Sequence, residues 1–184
     1  MSKVLGMEHI ARLTARQKEL LVELEGYMND REEALFLPLI SHLLSLGYSS
    51  RRHKKSNFVV EFVQYGRIIA KMELKPRQGL VLYLRYADSS TVPEVFRKAL
   101  ATRPAAWVKR GQEWKSPEEW QCCGYCKDNI SLYRFTGDDG KARVRCGLAA
   151  VAIPGLTPAD LPATLLLIDD QHKFYAARWG LQGS

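Results

Sequence analysis

The sequence has no run of roughly 18 uncharged apolar residues, the length that a membrane-spanning helix requires. Its first thirty residues also lack the basic segment, apolar stretch and small-residue cleavage site of a signal peptide. We therefore expect a cytoplasmic protein. In that reducing compartment, clustered cysteines indicate metal binding or redox chemistry more than structural disulfides.

Common catalytic motifs are also missing. The chain contains no glycine loop for nucleotide phosphates, no G-x-S-x-G elbow, no HExxH pair and no P-C-x-x-C of the cytidine deaminases. Its four histidines are scattered, and His42, among apolar residues, is expected to be a hydrogen-bonded packing residue. The acid pairs Asp138-Asp139 and Asp169-Asp170 suit a turn and a helix face. These absences favour a non-enzymatic protein.

Positive charge is abundant overall, but it is concentrated in the middle of the chain. Residues 51–110 hold 14 Lys and Arg against 4 Asp and Glu, whereas the parts before and after are slightly acidic. Apolar residues make up 46% of the chain, which is typical of a folded globular protein and excludes a disordered one. At 184 residues, we expect a single domain over 1–184, with residues 120–147 forming a small cysteine-hairpin subsite.

Helical periodicity appears near both ends of the chain and once in between. The Thr14–Gln17 capping box predicts a helix over 15–28, and a second helix should run from about Asp30 to Gly47, kinked or restarted at Pro38. Thr91, Pro93 and Glu94 begin a third helix, which Pro104 ends. Thr157 as N-cap, followed by Pro158, begins the last helix.

Between these helices the apolar pattern changes to period 2, which is typical of β-strands. The segments NFVVEFVQ at 57–64, RIIAKMEL at 67–74 and GLVLYLRY at 79–86 follow one another with short connections. The first two are separated by two residues and the last two by a turn-like KPRQG, so parallel crossovers are excluded. A hairpin, SLYRF and ARVRC, is expected over 131–146. The order of elements predicts an α+β fold: an antiparallel three-stranded meander with N-terminal helices, a cysteine-containing hairpin and a C-terminal helix.

Three of the four cysteines lie close together in QCCGYCKDN at 121–129. Cys123 and Cys126 have the C-x2-C spacing that holds a metal from a tight turn, and Cys146 closes the following hairpin. Tetrahedral Zn²⁺ needs a fourth ligand, which would be Cys122 or a distant residue such as His172 or His53. A thioredoxin-like dithiol is less favoured. The residues after Cys126 are predicted to form a turn and a strand, whereas that fold places a helix directly after its cysteine pair. Zinc ligation and burial as reduced thiols remain the two main hypotheses for these cysteines.

A second cluster, RRHKK at 51–55, lies between the second helix and the first predicted strand, where we expect a loop. Its positive charges could neutralise phosphates of nucleic acid or another anionic partner, and nearby tyrosines and Phe58 could stack on bases. A solvated loop is the alternative, since no helix-turn-helix, RNP-type strand or GxxG loop accompanies the cluster. The candidate contact residues are Arg51, Arg52, His53, Lys54 and Lys55.

The order SNFVVEF, YGRIIAKMEL and GLVLYLRY, followed by the cysteine cluster and a C-terminal helix, resembles small uncharacterised proteins of anaerobic Gram-positive bacteria over roughly residues 50–175. That resemblance implies no activity.

The sequence thus predicts a zinc-stabilised binding module with a basic contact surface, in which Cys122, Cys123, Cys126 and Cys146 hold the metal. The alternatives are a pocket-containing enzyme or ligand sensor, and an interaction protein with buried reduced thiols.

Overall fold

The structure, a computed structural model, describes residues 13–53, 58–85, 93–101, 132–136, 140, 142–146 and 150–180. Its helices are α1 (Ala15–Glu25), α2 (Asp30–Ser45), α3 (Glu94–Ala101) and α4 (Leu161–Trp179), with a 3-10 turn (Pro158–Asp160) before α4. Its strands are β1 (Ser49–Arg52), β2 (Val59–Gln64), β3 (Arg67–Lys75), β4 (Gly79–Leu84), β5 (Leu132–Thr136), β6 (Ala142–Cys146) and β7 (Val151–Ile153).

The main sheet has five antiparallel strands in the order β1-β2-β3-β4-β7, and β5 and β6 form a separate hairpin. The α+β class, the N-terminal helices, the C-terminal helix and the meander β2-β3-β4 are confirmed. The expected limit of three strands is wrong, because β1 joins one edge of the meander and β7 the other. Neither added strand carries an apolar alternation long enough to mark it in the sequence.

Capping contacts explain where the first two helices begin. Thr14 and Gln17 form the expected capping box, in which the Gln17 N–H donates to Thr14 Oγ1 over 3.3 Å and the Thr14 N–H to Gln17 Oε1 over 2.9 Å. α1 ends at Glu25, three residues before the predicted limit, because Gly26 follows as its C-cap. α2 is capped by Asn29 and Glu32.

The helix does not restart at Pro38, since α2 continues from Asp30 to Ser45 with Pro38 inside it. Proline removes one backbone hydrogen bond from a helix and clashes one turn back. Burial compensates for this cost, because apolar residues on both sides of Pro38 enter the core. They are Leu35, Phe36, Leu37, Leu39, Ile40, Leu43 and Leu44.

The turns of the meander follow from residues with positive φ. Tyr65 and Gly66 connect β2 to β3 with φ of 51° and 67°, the combination that a two-residue type I′ hairpin turn requires. A register shift follows in this hairpin, where Phe62 pairs with Ala70 but Val63 pairs with Ile68. Ile69 is the extra residue of the resulting bulge. It is fully buried, although the period-2 pattern of β3 would place its side chain on the same face as Lys71 and Glu73.

A single apolar cluster joins α1, α2, α4 and the inner face of the sheet. Leu24, Leu39, Phe62, Met72 and Leu82 are at its centre, each with no exposed surface. None of the helices in the described part of the chain is long and apolar enough to cross a membrane. The core therefore fixes α1 beside β1, and a concavity lies between these two elements.

Candidate binding groove

A groove of about 530 Å³ lies between α1 and β1. Such a volume is within the range of protein ligand sites, about 300–1,000 Å³. Arg51 and Arg52, two of the five residues predicted to contact an anionic partner, line it. The complete lining is Thr14, Arg16, Gln17, Glu19, Leu20 and Glu23 from the α1 side and Ser50, Arg51 and Arg52 from β1.

β1 is the terminal strand of the sheet, and Ser50, Arg51 and Arg52 line the groove from that strand. None of the lining residues belongs to β2, the strand that pairs with β1. The expected loop at 51–55 is therefore wrong for Arg51 and Arg52, which belong to an edge strand. Lys54 and Lys55 lie outside the described residues.

Arg51 forms an ion pair across the sheet. Its Nε donates to Oε2 of Glu61 over 2.9 Å, the two residues being direct partners in the β1–β2 register. Glu61 is only 3% exposed, whereas the side chain of Arg51 is 59% exposed. His53 approaches the other Glu61 oxygen, with Nε2 3.8 Å from Oε1. The buried carboxylate thus anchors Arg51 through one nitrogen, and no other hydrogen bond of Arg51 is found among the described residues.

Arg52 joins β1 to α1. Its Nη1 donates to both carboxylate oxygens of Glu23, over 2.6 and 2.8 Å, and its guanidinium lies 4.9 Å from the centroid of the Phe58 ring. Both charged side chains are partly exposed, so the ion pair adds little stability. Its role is geometric, because it fixes the width of the groove at one point.

The remaining cation of the groove is Arg16, which is exposed on the first turn of α1 and has no ion pair with any described residue. The lining as a whole carries three arginines against Glu19 and Glu23. Arginine presents five N–H donors in a planar fork that matches a carboxylate or a phosphate. Among these arginines, Arg16 has no ion pair with a described residue, and the terminal amino groups of Arg51 have no hydrogen bond with one.

Most of the predicted metal site lies outside the described residues. Cys122, Cys123 and Cys126 are not described, and Cys146 is the last residue of β6, paired with Leu132 in the confirmed hairpin. Within the described ranges, no group of three or more His, Cys, Asp and Glu side chains is placed to hold a metal ion.

Two histidines lie near each other at the contact between α2 and α4. Nε2 of His42 is 2.8 Å from Oδ1 of Asp169, so the expected hydrogen-bonded role of His42 is confirmed. His172, a candidate fourth metal ligand, has Nδ1 3.3 Å from the Tyr48 hydroxyl, and its ring stacks on Tyr65.

Burial lowers the pKa of His172, an effect that Asp169 opposes and His42 reinforces. Burial also raises the pKa of Tyr48 well above its ordinary value, with smaller contributions from Tyr175 and Tyr65. The phenol therefore keeps its proton and can donate it to Nδ1 of a neutral His172.

A second concavity, about 410 Å³, lies between the start of α2, β4 and the segment after β7. Its central acid, Glu32, already has structural partners: Oε1 accepts from the Leu80 N–H over 2.9 Å, and Oε2 accepts from Asn29. These bonds connect α2 to β4, and Glu32 is the only acid among the described residues that line the concavity.

Sequence reasoning missed the acids that position the arginines. Glu61 stands inside the apolar run VVEFV, and a charged residue there was the only indication of a buried ion pair. Glu23 carried no such indication, because its partner Arg52 is 29 residues away.

Comparisons with protein-family models, with curated proteins and with solved structures gave no match.

Proposed function

We infer that this protein is a cytoplasmic binding module that contacts an anionic partner through the groove between α1 and β1. The observation that carries the proposal is the presence of three arginines in one groove beside an edge strand. Anchored guanidinium groups bind carboxylates and phosphates well, since less side-chain freedom is lost on binding.

Two of the arginines have most of their conformation fixed in advance. Glu61 holds Arg51 through Nε, and Glu23 holds Arg52 through Nη1. Arg16 stands on the opposite wall without an ion pair among the described residues. An anion between the walls would contact Arg16 from α1 and the terminal amino groups of Arg51 from β1.

The cysteine cluster enters the proposal as a stabilising zinc site. Support comes from the C-x2-C spacing of Cys123 and Cys126 and from the hairpin that ends at Cys146. Bound zinc would stabilise a hairpin of two short strands, which has little core of its own. Cys122 is the proposed fourth ligand.

The test is direct binding with matched charge variants. Fluorescence anisotropy would follow an acidic peptide and a single-stranded oligonucleotide at increasing salt concentrations, because contacts between charges weaken as salt rises. Arg16→Gln removes a groove cation, and Lys18→Gln removes an exposed cation of α1 that does not line the groove.

We expect Arg16→Gln to weaken binding about tenfold, as the loss of one charge-assisted hydrogen bond implies. Lys18→Gln should leave the affinity nearly unchanged. Equal effects of the two variants, or binding that salt does not weaken, would refute the groove as the anion site.

A further inference from the structure

We propose that the partner enters the groove by displacing Glu23 from Arg52, so that a carboxylate of an acidic peptide replaces the protein's own carboxylate. This inference rests on the proposed function. It names the class of partner and the contact that regulates access to the groove.

The Arg52–Glu23 ion pair shows which chemical group the groove binds. Nη1 of Arg52 donates to both carboxylate oxygens of Glu23, over 2.6 and 2.8 Å. Glu23 comes from α1 and Arg52 from β1, so the pair bridges the two walls of the groove. Aspartate and glutamate side chains of a partner carry the same carboxylate. Glu23 is therefore an internal competitor for the site that a partner's carboxylate would occupy.

This ion pair is weak enough to be exchanged. The side chains of Arg52 and Glu23 are 49% and 38% exposed, and exposed ion pairs are screened by water and salt. The neighbouring pair differs, because the carboxylate of Glu61 beside Arg51 is only 3% exposed and would be left buried without its cation. Of these two ion pairs, the one between Arg52 and Glu23 is the one that a partner can open.

Arg52 has contacts that do not depend on Glu23. Its guanidinium lies 4.9 Å from the centroid of the Phe58 ring, which in turn lies 4.7 Å from the ring of Tyr27. Its backbone pairs with Val60 in the β1–β2 register. A cation over an aromatic ring is held by the electrons of the ring. Opening the ion pair would therefore release hydrogen-bond donors of Arg52 while the guanidinium stays against Phe58.

The charges of the groove favour a peptide over a nucleic acid. Arg16 and Glu23 are about two turns of α1 apart, about 10 Å along the helix axis, and the exposed Glu19 lies between them. A continuous row of phosphates would meet Glu19 as well as the displaced Glu23. A peptide whose acidic residues are separated by neutral ones can place one carboxylate near Arg16 and another on Arg52.

Fluorescence anisotropy with matched carboxylate variants tests the displacement. The probe is a labelled short peptide in which valine alternates with glutamate, and a peptide with glutamine in place of glutamate is the control that should not bind. Glu23→Gln removes the competitor, so we expect it to tighten binding about fivefold. Glu19→Gln removes a carboxylate of the same groove that has no ion pair among the described residues. It should tighten binding at most about twofold, because an exposed charge is screened.

A double variant separates competition for Arg52 from a general effect of charge. In the Arg52→Gln background there is no ion pair to open, so the gain from Glu23→Gln should fall to that from Glu19→Gln. Equal gains from Glu23→Gln and Glu19→Gln in the wild-type background would overturn the displacement. A full gain that persists in the Arg52→Gln background would also overturn it. Either result would leave the anion groove intact.

Two further outcomes distinguish this inference from the proposed function. A single-stranded oligonucleotide that binds while the acidic peptide does not would overturn the peptide partner alone. Binding of neither probe, to the wild type or to Glu23→Gln, would refute the proposed function as well.

Discussion

Nε of Arg51 donates to Oε2 of Glu61 over 2.9 Å, and this contact connects the surface of the groove to a carboxylate that is almost completely buried. Arg51→Ala would leave the Glu61 carboxylate without its nearest cation. We expect the free energy of unfolding to fall by about 1–3 kcal/mol, the cost of an unsatisfied buried acceptor. Urea unfolding measures it, with Arg77→Ala in the exposed β3–β4 turn as the control. A loss no larger than that of the control would show that Glu61 does not depend on Arg51.

Ser50 has a buried hydroxyl without a hydrogen-bond partner among the described residues, whereas the buried Thr164 hydroxyl donates to the Asp160 carbonyl over 2.8 Å. Ser50→Ala should therefore leave stability unchanged or raise it slightly, because it removes a polar group that gains nothing from burial. Thr164→Val should cost about 1 kcal/mol by breaking a bond. Thermal or urea unfolding of both variants checks the contrast, and equal losses would contradict it.

Gly79 and Gly66 both have positive φ, at 70° and 67°, but their surroundings differ. A Cβ at Gly66 would meet nothing within 4 Å, so Gly66→Ala should cost only the backbone strain, about 1–2 kcal/mol. A Cβ at Gly79 would collide with Oε1 of Glu32, which accepts from the Leu80 N–H. Gly79→Ala should cost about 1 kcal/mol more than Gly66→Ala in urea unfolding. The reverse order would show that the Glu32 contact contributes no stability.

The lowered pKa of His172 predicts how the free energy of unfolding depends on pH. Burial lowers its pKa in the folded state, so the folded protein binds this proton less readily than the unfolded chain. The neutral imidazole contributes fully to the free energy of unfolding above its ordinary pKa of 6.5. That contribution is lost as the pH falls through 6.5 towards the lower pKa of the folded state. Urea unfolding between about pH 8 and about pH 5 should show this decline, and His172→Gln should reduce it. An unchanged slope in the variant would assign the decline to other groups.

The cysteine cluster gives a prediction about metal content. Protein purified without a metal-affinity step should contain zinc, and Cys123→Ser or Cys146→Ser should lower both zinc content and thermal stability. Metal analysis combined with thermal unfolding measures this. A protein without zinc, whose stability neither variant changes, would support buried thiols instead.

The parts of the fold that the sequence predicted have local causes. The Thr14–Gln17 box begins α1, and Tyr65-Gly66 can form the two-residue turn between β2 and β3. The hairpin β5–β6 likewise follows from two short strand patterns around a turn.

The parts that were missed depend on contacts between distant segments. β1 reads SSRR, without apolar alternation, and only pairing with β2 makes it a strand. β7 has three residues and pairs with β4 after a separation of more than sixty positions along the chain. The groove shares this origin, because residues near 16 and near 51 come together only when α1 packs on the core.

Anion binding between α1 and β1 can be mapped by NMR through the amide chemical shifts. During titration with a short peptide in which valine alternates with glutamate, we expect shifts concentrated at residues 14–23 and 50–52, with the Arg77 turn and the surroundings of His172 unaffected. Arg16→Gln should reduce these shifts at a given peptide concentration, and Lys18→Gln should not. Shifts concentrated outside the groove, or equally reduced by both variants, would show that the groove is not the anion site.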